Sequence, residues 1–171
     1  MRFTLIDRIL ELEPGAHITA IKSLSMAEEY LADHFPLFPV MPGVLMLEAM
    51  TQTSAWLVRA TEDFAHSMVM LREAAHIKYG QFLEPGQTLT VFSEIISSNE
   101  HETKVKASGS VDDRVIVNAK LTLVRYNLVD SHPDYASTDC ALRRDQRDLF
   151  RLLYSPHTAA ARTVLSATAP R

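Results

Sequence analysis

Four residues in one short stretch have the types and spacing to do chemistry: His34, Gly43, Glu48 and Gln52. An imidazole titrates near neutrality and is suited to taking a proton from a weakly acidic carbon. A carboxyl group withdrawn from water is suited to handing a proton to a departing oxygen. Gln52 lies one helical turn after Glu48, so the two share a face and the amide can orient the carboxyl group. If a helix opens at Gly43, the free amides of Gly43 and Val44 form a positive end aimed at a developing oxyanion.

The elements that must position these groups follow from the same stretch. Pro36, Pro39 and Pro42 forbid helix and hold the backbone extended, whereas no breaker follows Gly43 for many residues. From Val44 to Ala60 only Glu48, Gln52 and Arg59 are strongly polar, and Leu45, Leu47, Met50 and Trp56 fall on all sides. That distribution predicts a buried helix with Glu48 inside the protein, where a carboxylate needs a partner or a task. A base, an acid and an oxyanion site are the set required to eliminate water from a 3-hydroxyacyl thioester. The base removes the C2 proton, amides hold the enolate-like oxygen, and the acid protonates the leaving C3 hydroxyl.

The run His-Phe-Pro-x-x-Pro-x-x-Pro-Gly-Val-Leu-x-x-Glu-Ala-Met-x-Gln, from His34 to Gln52, resembles the signature of the 3-hydroxyacyl-acyl-carrier-protein dehydratases of the FabZ/FabA type. The likeness extends from Leu5-Ile-Asp-Arg-Ile-Leu-Glu-Leu-Glu-Pro-Gly through Phe82-Leu-Glu-Pro-Gly-Gln-Thr-Leu to about residue 128. It implies a hot-dog fold, in which a curved antiparallel sheet wraps one long helix, and a homodimer with shared active sites, often assembled as a trimer of dimers. It further implies His34 of one subunit facing Glu48 of the other, with Gly43 on the thioester carbonyl. Phe35, Phe38, Met41 and Leu45 become candidates for lining the acyl tunnel. Leu37 and Phe38 depart from the family, whose common members have Gly and a polar residue there. The substrate implied is a 3-hydroxyacyl chain on acyl carrier protein or coenzyme A, with no cofactor.

The rest of the chain reads as strands around that helix, an α+β domain. Residues 3 to 13 and His17 to Ser25 predict a hairpin about the Glu13-Pro14-Gly15 turn, and Ser25 to Glu28 fits a capping box for a short helix from Met26 to Leu31. Strands are expected over Met68 to Tyr79, Leu89 to Ser97, Thr103 to Ser110 and Arg114 to Tyr126. The dehydratase-like domain is expected to span residues 1–128, with a linker and an extra helical tail at 129–171. Within the tail, Asp139 to Tyr154 is amphipathic: Leu142, Leu149, Phe150 and Leu153 gather on one side, and Arg143, Arg147 and Arg151 on another. Asp139 and Asp148 at four-residue spacing from Arg143 and Arg144 predict a self-paired, solvated arginine face. Pro156 ends this helix, and the remainder reads as weakly helical or disordered.

Composition narrows the function classes. A net charge of −4 and a pI near 6.0 give no basic field for nucleic acid. Cys140 is the single cysteine, and the histidines show no paired ligand spacing, so neither a disulfide nor a metal site is expected. No apolar run is long enough to span a membrane, and the expected location is cytoplasmic. Two other enzymes fit the fold. FabA-type members also isomerise the double bond, and Val40-Met41-Pro42-Gly43 resembles their spelling, but their usual acid is Asp where this chain has Glu48. A thioesterase is the other. The non-enzyme alternative is an acyl-binding module whose site Leu37, Phe38 and the tail have closed or redirected.

Overall fold

The computed structural model describes residues 3–155. Six antiparallel strands, β1 (Arg8–Glu13), β2 (His17–Ser23), β3 (Met68–Tyr79), β4 (Thr88–Ser98), β5 (Glu102–Val111) and β6 (Arg114–Tyr126), form one sheet in the order β1-β2-β4-β5-β6-β3. The helix α1 (Gly43–Thr61) packs on its concave face, and a second helix, α2 (Ala136–Leu153), follows the sheet. Strict alternation along β2 and β5 turns Ile18, Ala20, Val105 and Ala107 to the helix and their neighbours outward. At Gly109 an added Cβ would stand 2.7 Å from Val117 and 2.9 Å from Leu89, so any larger residue would force those core side chains to move.

Both Glu-Pro-Gly sequences are tight turns. Ala16 N–H donates to Glu13 O and Gln87 N–H to Glu84 O, with Gly15 at φ +82° and Gly86 at φ +89°. Pro sets the first corner and glycine takes the positive φ at the second, as a type II turn requires.

Several expectations shift. The first strand starts at Arg8 rather than residue 3, because residues 3–5 are drawn onto α1 instead: Leu5 N–H donates to Gln52 Oε1 and Gln52 Nε2 donates to Phe3 O. The helix expected over Met26 to Leu31 is a 3-10 turn at Glu29–Ala32, since the Ser25 hydroxyl is spent on Ala27 N–H and forms no cap. The amphipathic tail helix begins three residues early, at Ala136. Pro156 and the segment after it lie outside the described residues.

The arginine stripe of α2 is self-paired and solvated only in part, because Arg143 and Arg147 also reach the body of the protein. Arg143 donates to Asn127 and lends its charge to Asp139 one turn before it, Arg147 donates to Asp63 O while lying over the Phe64 ring, and Arg151 pairs with Asp148. Phe150 packs between Trp56, Phe64 and Tyr154, and Leu153 is buried in the main core. The start of α2 is pinned by Asp139, which is 1% exposed and accepts from Ser67 Oγ and from the amides of Leu128 and Val129. Burial pushes this carboxyl up, but those three donors and the charge of Arg143 more than offset it and hold the group below its ordinary value of 3.8. A depressed carboxylate stabilises the fold above its unfolded pKa and loses that contribution as pH falls through the folded one. Acidification below the ordinary carboxylate range should therefore loosen α2, and an Asp139→Ala variant should already be loosened at neutral pH. Trp56, the single tryptophan and a neighbour of Phe150, reports both by fluorescence.

Candidate active site

His34 sits at the start of a loop that its own backbone helps close. Its N–H donates to Tyr30 O, its carbonyl accepts from Val40 N–H, and Phe35 and Phe38 exchange backbone hydrogen bonds across the turn between them. The His34–Phe35 peptide is cis, and the two rings stack with centroids 4.3 Å apart. Nδ1 of His34 lies 3.1 Å from Val40 O, a carbonyl that can only accept, so this nitrogen carries the proton. Nε2 is left with a free lone pair, the form a general base needs.

That imidazole lines a cavity of about 400 Å³ with Met41, Gly43, Met46, Tyr79, Gly80, Gln81 and Phe82. Gly43 opens α1, so its amide and that of Val44 have no acceptor inside the helix. Its Cα lies against the Tyr79 ring so closely that an added Cβ would stand 3.0 Å from the ring edge. The glycine thus brings backbone and aromatic ring together in the cavity wall. The loops holding His34 and Phe82 are tied by Met41 N–H donating to Leu83 O.

Glu48 opens elsewhere. It is half-buried rather than enclosed, because the face of α1 that carries Val44, Glu48 and Gln52 is not fully covered within one chain. It lines a second cavity, of about 320 Å³, with Phe3, Thr51, Gln52, Trp56, Arg59, Met70, Gln146 and others. Gln52 Nε2 donates to Glu48 Oε1 at 2.9 Å. Because Gln52 Oε1 is engaged by Leu5 N–H, the amide cannot turn over, and its NH₂ group is directed at the carboxyl group. Gln52 thus both orients Glu48 and satisfies the chain entering at Phe3.

One polypeptide therefore brings His34, Gly43 and Met41 together, and Glu48 with Gln52, but the His34 cavity does not include Glu48. Phe35 stacks on His34 and Phe38 meets Phe82 edge-on, both about half exposed; Leu45 packs against the core instead. Sequence reasoning missed Met46, Tyr79, Gly80, Gln81 and Phe82. Met46 follows Gly43 on the first turn of α1, whereas the other four reach the site through the pairing of β3 with β6 and the tie to Leu83, for which local sequence carries no signal.

A family model described as the FabA-like domain matches residues 1–120. The chain is 35% identical over 119 residues to the 3-hydroxyacyl-acyl-carrier-protein dehydratase FabZ of Ruminiclostridium cellulolyticum, covering 70% of this chain and 84% of that one. It is 37% identical over 132 residues to the FabZ of a Janthinobacterium species, covering 75% and 85%. Among solved structures, the dehydratase heterocomplex ApeI:P of Xenorhabdus doucetiae superposes with a TM-score of 0.60 at 17% identity, over 74% of this chain and 85% of that one. A Streptococcus mutans protein bound to acetyl CoA gives 0.58 at 15% identity, over 74% and 92%. These neighbours carry the hot-dog architecture of a curved antiparallel sheet around a long helix. The loop that frees His34 Nε2, the helix that opens at Gly43 and the amide-held Glu48 thus belong to a known lineage: the chain is a member of the FabA-like family, among the FabZ-type 3-hydroxyacyl-acyl-carrier-protein dehydratases.

Proposed function

We propose that the chain dehydrates a 3-hydroxyacyl group carried on acyl carrier protein to the trans-2-enoyl thioester, at sites shared between two copies. His34 Nε2 takes the C2 proton while the Gly43 amide, seconded by Val44, holds the thioester oxygen. The electron pair forms the C2–C3 double bond, the C3–O bond breaks, and Glu48 of the second copy gives its proton to the departing hydroxyl, producing water. The proton on His34 then returns to Glu48 and resets the pair. Gln52 keeps the carboxyl group aimed.

The observation that carries this reading is the division of labour within one chain, base and amides on one cavity and carboxyl group on another. A second copy also suits the sheet. β3 is an edge strand of 12 residues with Met70 and Tyr79 exposed, and Phe35, Leu37, Phe38 and Val44 are exposed near the helix start. An open edge beside apolar side chains favours burial against another chain. No helix among the described residues is long and apolar enough to cross a membrane.

The direct test follows 3-hydroxyacyl-carrier-protein by mass spectrometry for the loss of one water. His34→Ala and Glu48→Gln should each lower turnover by about 10²- to 10⁴-fold, the usual weight of a proton-transfer group, with unchanged folding. Turnover near wild type in either variant would remove that residue from the scheme.

A further inference from the structure

The cavity beside Glu48 has a second polar end. Along α1, Glu48, Gln52, Ala55 and Arg59 fall on one face, and Arg59 lies three turns beyond Glu48, about 16 Å at 1.5 Å per residue. Apart from Thr4, the rest of the wall is apolar: Phe3, Ala55, Trp56, Val69, Met70 and Leu149. The polar groups near Glu48 are occupied, since Gln52 bonds Glu48, Phe3 and Leu5, and the Thr51 hydroxyl is given to Leu47 O. The polar groups remaining are not. The Arg59 side chain has no hydrogen bond or ion pair with any described residue, and its Nε is buried without a partner. Gln146 gives its NH₂ to Ser67 O, leaving its Oε1 buried and unengaged.

A guanidinium drawn partly out of water without an anion is costly, and among the described residues it is offset only by the Trp56 ring, 5.2 Å below it. Burial lowers its pKa to about 10, so it still carries its charge at neutral pH. An apolar passage with a reacting carboxyl group at one end and an uncompensated planar cation at the other has the form of a two-point binding site.

We propose that this cavity receives the far end of the acyl chain and that Arg59 binds a carboxylate there, so that the preferred substrates are medium-length 3-hydroxyacyl thioesters ending in a carboxylate instead of a methyl group. Guanidinium and carboxylate match in plane and charge, and the pair forms two parallel hydrogen bonds. A methyl end would leave the half-buried cation without an anion. The inference rests on the dehydratase reading and adds to it the chemistry of the distal group.

The test compares 3-hydroxyacyl-carrier-protein substrates of equal length that end in methyl or carboxylate, scored by kcat/KM for loss of water. The wild-type protein should favour the carboxylate about ten- to a hundredfold, the weight of a hydrogen-bonded charge pair. Arg59→Leu should reverse the ratio, and Arg59→Lys, which keeps the charge but not the planar fork, should retain part of it; the lysine variant also serves if the leucine variant folds poorly. A ratio that does not move with Arg59, while methyl-ended substrates are still dehydrated, overturns this inference alone. So does weakened self-association of Arg59→Leu with an unmoved ratio, which would give the guanidinium to a second copy. Failure to dehydrate any chain overturns the dehydratase reading and this inference with it.

Discussion

Mixing two dead proteins should restore activity. If His34 of one copy works with Glu48 of the other, a dimer formed from one His34→Ala chain and one Glu48→Gln chain carries one site with both lesions and one with none. Random exchange makes half the dimers mixed, so an equimolar mixture should recover about a quarter of wild-type turnover, as follows from two-fold symmetry. Each variant alone remains lower by the orders of magnitude that loss of a proton-transfer group brings. The recovery depends on subunit exchange, which size-exclusion chromatography of tagged chains follows independently. Exchange without recovery would show that each chain carries its own complete site. It would thereby contradict the reading drawn from the separate cavities of His34 and Glu48.

The largest effect on folding is expected at Arg125. Its side chain is 6% exposed and holds three segments at once: Glu62 just past the end of α1, Thr103 on β5, and Ser98 and Asn99 O where β4 turns into β5. The contact with Glu62, 2.5 Å from Nε, has the distance of an ion pair but not the angle of a hydrogen bond. Arg125→Ala strips all these partners and leaves the partly shielded Glu62 carboxylate with only the His66 ring, 3.5 Å away, a loss of about 3 kcal/mol on the scale of broken buried pairs. Urea unfolding at matched protein concentration reads it as a lower midpoint at the same slope. Removing Glu62 as well, in Arg125→Met/Glu62→Leu, should recover part of the loss, since apolar groups of similar size dispense with the desolvation cost. A single variant as stable as wild type would mean that the guanidinium only replaces water at this corner.

What sequence alone made legible follows the range of the forces involved. Prolines, glycines and periodicity act locally, so the start of α1 at Gly43, both Glu-Pro-Gly turns and the spans of β3 and β6 could be read directly. Residues 3–7 misled because their alternation suits a strand, while a long-range amide, Gln52, competes for Phe3 and Leu5. The arginine stripe misled in part, for a related reason: helical spacing predicts pairing within α2, but Asn127 and Asp63 O also offered partners on the body of the protein. Of the site, His34, Gly43 and Glu48 were visible as types and spacings, whereas Tyr79 and Phe82 arrive through sheet register. Arg59 is an intermediate case. It stood out as one of three strongly polar residues on an apolar helix, and it lies on the same face as Glu48, yet only the cavity makes that alignment meaningful.

The family match ends at residue 120, yet α2 sends Gln146 and Leu149 back into the wall of the Glu48 cavity. An appendage outside the shared framework therefore helps set the depth of the chamber beside Glu48. Exchanging that appendage would resize the chamber without altering His34, Gly43 or Glu48, so under the proposed mechanism chain preference and chemistry could be changed separately.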